Sequence, residues 1–384
     1  MSILIGADIV PTESNKAYFD SGKMQDVMGG DLLDLLNQVD YRIFNLECPL
    51  VDAESPIQKC GPNLRADVST VKGLKSIGVD LLTLANNHIM DHGNAGLEST
   101  IKALEKEKIT FLGVGTNLQT ATKPFLLSAN NKRIGVYACA EHEFSIAEEN
   151  KPGASPFDPL ESFDHVVNLK NGCDYVIVLY HGGKEHYRYP SPMLQRICRK
   201  FVDKGADLVI CQHSHCVGCE EKYKDGTIVY GQGNFIFNTC DEPTEQTSLL
   251  IEIDDHFNVK YIPLEKFDCG VRLAKDDAAR IILSDFQQRS RQIKKNGFIE
   301  NEYSKFAKEM LNGYLLPFSG YNHSLIKRLL KKLFGRHALN YFINHSLGMK
   351  EHLFFQAIIQ CEAHYELLLK GLKNTNEDYN DVSN

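Results

Sequence analysis

Short apolar runs alternate with longer amphipathic segments along the first two thirds of the chain. Most of the short runs are β-branched or continuously apolar, which is typical of strands that are covered on both faces. We predict strands at residues 3–5, 41–44, 81–85, 134–138, 176–180, 208–211 and 228–230. The length of the segments between them indicates a sheet whose strands are joined through helices.

The longer segments carry their apolar residues at helical spacing. Residues 30–39, 93–106 and 193–204 each place leucine, isoleucine or valine on one side of a helix. Because strands that alternate with helices form layered α/β domains, we predict an α/β fold with a central sheet over residues 1–268.

The pattern changes after Asp268, where helical periodicity continues without strands in between. We predict helices at residues 281–291, 303–311, 324–334 and 351–373. Since roughly one hundred residues suffice for a small domain, residues 269–373 are predicted to form a helical extension. Residues 374–384 are polar and acidic, which predicts a disordered tail.

Composition and charge exclude some classes of partner. The chain has 384 residues, of which 43% are hydrophobic and 24% charged, as in ordinary globular proteins. Lysine and arginine number 42 against 50 acidic residues, which gives a formal net charge of -8. Because phosphate binding needs a basic surface, we exclude nucleic acid as the partner of a global electrostatic interaction.

The sequence also bears on the cellular compartment. No apolar stretch approaches the roughly 18 residues of a transmembrane helix, and residues 1–10 do not resemble a secretory signal. The eleven cysteines are odd in number and scattered along the chain, which is typical of free thiols in a reducing compartment. We therefore expect a cytoplasmic protein without a transmembrane segment.

Polar side chains that can bind ligands follow six of the predicted strands. They are Asp8, Asn45, Glu47, Asn86, Asn87, His88, Asp91, His181, His213, His215 and Asn234. Any one of them could close a turn or cap a helix. Ligands of open α/β sheets, however, bind beyond the carboxyl ends of the strands. Because burying so many polar groups without partners is unfavourable, a shared metal centre explains them best.

The types of these side chains suggest which metals bind. Carboxylate, amide and imidazole groups suit Mn, Fe, Zn or Mg, and no thiolate ligand is required. Cys211, Cys216 and Cys219 lie near the two histidines in sequence, but we do not expect them to bind the metal.

Several motifs resemble those of the CapA family. They are NLE at 45–47, ANNHIMDHG at 85–93, HGGKE at 181–185, HSH at 213–215 followed by Glu220, and GNF at 233–235. That family is named for poly-γ-glutamate capsule synthesis and belongs to the calcineurin-like metallophosphoesterase superfamily. The resemblance covers residues 3–237 and implies a calcineurin-like metallophosphoesterase sandwich, with central β-sheets flanked by helices.

The resemblance also implies a metal site in which Glu47 bridges two ions. The ligands would be Asp8, Glu47 and His215 for the first ion, and Glu47, Asn87, His181 and His213 for the second. His88 would protonate the leaving oxygen, and Asp91 would orient His88. The superfamily usually has a histidine two positions after the first aspartate, but Val10 stands there in this chain. The first ion is left with three protein ligands, so we expect one or two divalent ions.

An anionic substrate would need positive charge near this site. Lys59 and Arg65, in the loop at 58–67, and Lys184 are candidates, although such residues are mostly solvated surface charges. Further substrate-binding candidates lie in the matching motifs, namely Asn45, Asn86, Glu185, Glu220 and Asn234.

The resemblance favours a metal-dependent hydrolase that acts on a phosphoester, or on an anionic polymer or its precursor, in capsule or poly-γ-glutamate biosynthesis. Two alternatives stay open. One is a non-catalytic, metal-containing accessory protein that binds a polyanion during capsule assembly. The other is amide-bond chemistry on γ-glutamyl chains.

A short basic amphipathic segment lies in the helical extension. Residues 326–336 read IKRLLKKLFGR. Such a segment can lie on an anionic membrane surface or bind an acidic protein. A solvated basic face with leucines packed inward is the commoner arrangement.

Overall fold

The structure is a computed structural model that describes residues 2–129, 131–237, 242–319, 341, 343 and 347–382. The chain divides into two compact units, Met1–Glu300 and Asn301–Asn384. None of the helices in the described ranges combines the length and apolar character that crossing a bilayer requires.

The described part of the first unit contains sixteen strands. They are β1 (Ile3–Val10), β2 (Tyr41–Leu46), β3 (Leu81–Thr83), β4 (Thr110–Leu112), β5 (Val114–Gly115), β6 (Phe125–Ala129), β7 (Lys132–Ala140), β8 (Gly153–Ala154), β9 (Tyr175–His181), β10 (Leu208–Gln212), β11 (Glu220–Tyr223), β12 (Gly226–Tyr230), β13 (Asn234–Phe237), β14 (Thr247–Ile253), β15 (Val259–Phe267) and β16 (Gly270–Leu273).

Two large sheets contain most of these strands. The first has the order β16-β15-β14-β1-β2-β3-β4, and β13 also pairs with β1. In it β1 to β4 and β13 are parallel, whereas β14 to β16 are antiparallel. The second has the order β11-β12-β10-β9-β7-β6, with β12, β10, β9 and β7 parallel. The small sheet β5-β8 is separate.

Helices connect and cover the strands. Those of the described residues are α1 (Lys16–Ser21), α2 (Gln25–Met28), α3 (Gly30–Gln38), α4 (Val71–Ser76), α5 (Gly93–Lys106), α6 (Leu118–Ala121), α7 (Ser162–Lys170), α8 (Pro192–Asp203), α9 (Asp276–Gln292), α10 (Phe298–Leu315), α11 (Met349–Gln360) and α12 (Glu362–Val382).

Alternation along β9 shows how the layers pack. Ile177 and Leu179 belong to a core that also contains residues of the first sheet, whereas Val176 and Val178 face a second core shared with α7 and α8. Successive side chains of a strand point to opposite faces, so the parallel strands are apolar throughout. The two sheets therefore pack against each other, and helices cover the second sheet from outside.

The predicted α/β fold, with central sheets flanked by helices and a helical C-terminal region, is confirmed. All the predicted strands coincide with observed ones, although β3 ends at Thr83 instead of residue 85. The strands after residue 230 were not predicted. Of these, β15 and β16 pair with their neighbours in sequence, whereas β14 also pairs with β1 from the opposite end of the unit.

The end of the first unit differs from the boundary expected after residue 268. Helix α9 buries Ile282 and Phe286 and packs on β15 and β11, so it belongs to the first unit. Helix α12 runs to Val382, through most of the segment at 374–384 that was expected to be disordered. Extending an existing helix adds one hydrogen bond per residue, which composition does not reveal. The basic segment at 326–336 lies outside the described residues.

Candidate metal centre

Five candidate ligands converge near the carboxyl ends of β1, β2, β9 and β10. Ligand atoms of Asp8, Glu47 and His181 lie within 4.8 Å of one another, and the same holds for Glu47, His213 and His215. Glu47 is common to both groups, as a bridging carboxylate would be. The resemblance instead groups His215 with Asp8 and His181 with His213, so the division of ligands between two ions stays a prediction.

The backbone of β1 is irregular at Asp8. Its pairing with β2 aligns Asp8 with Asn45 after a shift of register, and its pairing with β13 aligns Asp8 with Asn234 before a second shift. Irregularities of this kind redirect a side chain at the end of a strand. They place Asp8 between residues of two neighbouring strands that both carry amide groups.

The turn after β10 contains two residues with left-handed backbone. His213 has φ of 82° and His215 has φ of 55°. A non-glycine residue in this region costs about 1–3 kcal/mol and persists only where its surroundings hold it. The N–H of His213 donates to Asp8 Oδ2 at 3.3 Å, and Ser214 Oγ donates to the carbonyl of Cys216 at 3.2 Å. Strain of this kind concentrates at functional sites.

Glu47 is completely buried, yet neither of its carboxylate oxygens has a hydrogen-bond partner among the described residues. Its Oε1 lies 3.1 Å from His181 Nε2 and 3.9 Å from His213 Nδ1, and the latter nitrogen is also buried without a hydrogen bond. Buried polar groups are almost always paired. A divalent cation would satisfy these atoms, so the residues present fit a metal ion.

The charges of the cluster perturb one another. Burial and the charge of Glu47 raise the pKa of Asp8 to about 7. Burial also acts to raise the pKa of Glu47, but the neighbouring histidines outweigh it and hold that pKa well below its ordinary value. Burial lowers the pKa of His181 to about 4. Burial also acts to lower the pKa of His213, but the charges of the neighbouring glutamates, Glu47 above all, prevail and raise that pKa to about 9. Metal binding displaces protons from such groups.

Hydrogen bonds with neighbouring side chains orient two of the candidate ligands, His215 and Asn87. His215 Nδ1 lies 2.9 Å from Asn234 Oδ1, so the imidazole donates there and keeps the lone pair of Nε2 for a metal. Asn87 Nδ2 donates to Glu143 Oε2 at 3.2 Å, while Asn87 Oδ1 lies 3.0 Å from His181 Nε2. Asn87 therefore joins the five converging residues. We call Asp8, Glu47, Asn87, His181, His213 and His215 the ligand cluster.

Asn45 and Asn86 support the site. The sequence analysis expected both to bind substrate, but their amide groups are bonded within the protein. Both are completely buried. Asn45 Nδ2 donates to Asp8 Oδ1 at 2.7 Å, and Asn86 Nδ2 donates to Asn45 Oδ1 at 3.1 Å. Asn86 Oδ1 accepts the N–H groups of His88 and Ile89. The pair thus ties the end of β2 to the turn that carries Asn87 and His88.

A second group of buried charges lies beside this turn. His88 Nδ1 is 2.6 Å from Asp91 Oδ2, and Lys59 Nζ is 2.5 Å from Asp91 Oδ1. We call Lys59, His88 and Asp91 the Asp91 cluster. The side chain of Lys59 is only 2% exposed, so the expectation that Lys59 binds an anionic substrate is corrected.

Arg65 and Glu220 also have partners away from the ligand cluster. Arg65 forms ion pairs with Glu54 at 2.8 Å and Asp67 at 2.9 Å. Glu220 lies on the edge strand β11, where Tyr261 donates to its carboxylate and Lys222 Nζ is 3.6 Å away. Both side chains are engaged with these partners, so the structure does not support either residue as a substrate contact. Proximity to a motif in sequence does not determine the direction of a side chain.

Three acidic residues line the approach to the ligand cluster. Glu185 Oε1 lies 3.8 Å from His213 Nε2, and its carboxylate is paired with Lys184. Glu141 accepts from Tyr180 Oη at 3.2 Å, and Glu143 holds Asn87. Glu141 and Glu143 were missed by the sequence analysis. They follow β7, so the rule that ligand residues follow strand ends identifies them when it is applied to that strand.

Comparison with known proteins agrees with the motifs. A family model described as "Bacterial capsule synthesis protein PGA_cap" matches residues 2–239. The capsule biosynthesis protein CapA of Bacillus anthracis is 32% identical over 224 residues, which are 56% of this chain and 54% of that protein. The PGA biosynthesis protein CapA of Bacillus subtilis is 29% identical, over 55% of this chain and 57% of that protein. The matched regions span little more than half the length of these relatives.

A solved structure of a hypothetical protein from Thermus thermophilus is also similar. It is 15% identical, with a TM-score of 0.45, over 70% of this chain and 100% of that protein. A likeness at this level says nothing about activity.

Proposed function

Because the chain belongs to the bacterial capsule synthesis protein family PGA_cap, we propose that it is a metal-dependent hydrolase of the metallophosphoesterase type with a role in capsule or poly-γ-glutamate biosynthesis. Its proposed substrate is a phosphoester. The two relatives described above are named for capsule and PGA biosynthesis, which supports the pathway.

The observation that carries this proposal is the state of Glu47. Its carboxylate is buried among three histidines and Asp8, and it has no hydrogen bond from the described residues. A buried carboxylate that lacks hydrogen bonds and has only imidazoles to balance its charge is unfavourable in a folded protein. A site that binds one or two divalent ions through the ligand cluster removes this problem and has the ligand types of a hydrolytic centre.

A divalent ion bound by the ligand cluster would supply Lewis-acid stabilisation of the charge that develops on the attacked group. The protein contributes the acid–base step through His88. Because Nδ1 of His88 faces Asp91, the proton on Nδ1 is held there and Nε2 is the nitrogen that exchanges a proton with the substrate. Asp91 fixes the ring in this orientation.

The surroundings of the ligand cluster favour a compact phosphoester over an extended polyanion. Glu141 and Glu143 are exposed near the ligands, and Glu185 is half-buried beside His213. Like charges repel a chain of carboxylates at close range. Lys184 lies in the same region but is paired with Glu185. A single phosphoryl group that reaches the metal avoids most of this repulsion.

The test is hydrolysis of p-nitrophenyl phosphate and bis(p-nitrophenyl) phosphate by the full chain, purified without chelator and supplied with Mn²⁺, Fe²⁺, Zn²⁺ or Mg²⁺. We expect turnover with at least one metal and one ester. Replacing the general acid, His88→Ala, should lower kcat by about 10²–10⁴-fold while the metal content stays unchanged.

His256→Ala is the matched control, because His256 is an exposed histidine between β14 and β15. It should leave turnover unchanged. Absence of turnover with every metal and ester, together with saturable binding of poly-γ-glutamate, would contradict the hydrolase proposal and support an accessory protein. Turnover that His88→Ala does not reduce would contradict the assignment of the acid.

A further inference from the structure

Lys59 lies in a surface loop but turns inward. Its neighbours Gln58 and Cys60 are exposed, whereas the Lys59 side chain is 2% exposed. Burying a lysine ammonium group is unfavourable unless a carboxylate accompanies it. The position of Lys59 therefore depends on Asp91, whose side chain is completely buried.

The loop around Lys59 holds Asp91 from several sides. Lys59 Nζ donates to Asp91 Oδ1 at 2.5 Å, and the N–H of Leu64 donates to Asp91 Oδ2 at 2.6 Å. The N–H of Ile57 donates to the carbonyl of Asp91 at 2.9 Å. His88 Nδ1 reaches the same carboxylate, and Lys59 Nζ is 3.2 Å from that nitrogen. Both oxygens of Asp91 are thus engaged, and Oδ1 is held by Lys59.

We propose that Lys59 is a positioning residue: through its buried ion pair with Asp91, it holds the carboxylate that orients the ring of His88. This inference rests on the proposed function, because His88 acts there as the general acid. The hydrogen bond from Lys59 joins two charged groups, whereas the one from Leu64 has a neutral donor, so Lys59 adds an ion-pair attraction that the backbone N–H does not supply. Lys59 does not contact the substrate.

This role differs measurably from substrate binding. Lys59→Met should lower kcat about 10–100-fold, by analogy with the loss of partners that orient metal ligands, and leave KM within about twofold. A residue that bound the ground state and transition state of an anionic substrate equally would instead raise KM with little change in kcat. Lys102→Met is the matched control, because Lys102 forms an exposed ion pair with Glu98 on α5 and should leave both constants unchanged.

A double variant separates positioning from a general structural effect. If Lys59 acts only through His88, then adding Lys59→Met to His88→Ala leaves kcat at the value of His88→Ala alone. A further multiplicative loss of kcat in the double variant would overturn the proposal, and so would a rise in KM caused by Lys59→Met. If Lys59→Met does not fold, Lys59→Gln gives the same comparison with a neutral donor.

A readout without turnover keeps this inference distinct from the proposed function. In ¹⁵N-edited NMR spectra, wild-type protein should show a hydrogen-bonded Nδ1 proton for His88, assigned by its absence in His88→Ala. Lys59→Met should weaken or remove that signal, while Lys102→Met retains it. An unchanged signal in Lys59→Met would overturn the positioning role, whether or not any ester is hydrolysed.

Discussion

The ligand cluster and the Asp91 cluster are two groups of buried charges in one site, and they are balanced in different ways. Around Asp91, a lysine, an imidazole and a backbone N–H occupy both carboxylate oxygens. Around Glu47, neither oxygen has a hydrogen bond from the described residues. The protein itself neutralises the carboxylate of Asp91, whereas the oxygens of Glu47 and the nearby imidazoles are arranged as ligands for an added cation.

The comparison is tested most strongly at Glu47. In wild-type protein a cation at about 100 times its Kd should stabilise the fold by about 2.7 kcal/mol, seen as a rise in Tm. Glu47→Gln should abolish this rise, because one carboxylate serves both groups of ligands. Thermal unfolding with and without cation measures the effect. Glu98→Gln, an exposed change on α5, should retain the full rise, and a rise retained by Glu47→Gln would remove Glu47 from the metal site.

At the Asp91 cluster we expect a substitution to lower the stability of the protein without removing its response to metal. Lys59→Met leaves the buried carboxylate of Asp91 without its cation, which should cost about 3–5 kcal/mol of unfolding free energy. The rise in Tm on adding metal should be the same as in wild-type protein. Urea unfolding with and without cation tests both statements. A loss of the metal response in this variant would show that the two clusters are not independent.

A smaller effect is expected where a second residue orients a ligand. Asn234→Ala removes the acceptor that holds Nδ1 of His215, and metal affinity should fall by about 10–100-fold. Calorimetric titration of metal into protein measures the change. Asn168→Ala, on α7 and away from the ligand cluster, serves as the control. Equal affinities for Asn234→Ala and wild-type protein would show that His215 does not need this partner.

The smallest effect is expected from adding a fourth protein ligand to the ion that the family resemblance assigns to Asp8, Glu47 and His215. Val10 is buried near the end of β1, two positions after Asp8. Val10→His should add an imidazole ligand to this ion and tighten its binding by about tenfold, or about 1.4 kcal/mol. The same titration detects it, and Val10→Gln controls for size. Weaker binding in Val10→His than in Val10→Gln would mean that no ligand position is available there.

Much of the site follows from the sequence because of how parallel strands are arranged. Asp8, Glu47, His181 and His213 each lie at or just beyond the end of a predicted strand, and parallel strands bring such ends to one edge of their own sheet. Asp8 and Glu47 follow strands of the first sheet, and His181 and His213 follow strands of the second. The apolar runs sufficed to locate those strands. Each pair of ligands therefore needed no knowledge of the pairing order, whereas the meeting of the two pairs depends on the packing of the two sheets.

The remaining features depend on side-chain direction and long-range pairing, which a local pattern does not contain. Lys59 and Arg65 lie in the same loop, yet only Lys59 turns inward to a buried carboxylate. The amide groups of Asn45 and Asn86 bond to each other instead of facing a substrate. The left-handed backbone of His213 was equally absent from the sequence pattern.

Metal content is the most direct test of the claim that the ligand cluster is completed by a cation. Full-length protein purified without chelator, and equilibrated with Mn²⁺ or Zn²⁺, should retain one to two ions per chain by elemental analysis after gel filtration. Lys59→Met should retain the same number, and Glu47→Gln should lose them. Wild-type protein that retains no divalent ion, or Glu47→Gln that retains as many ions as wild type, would contradict this account.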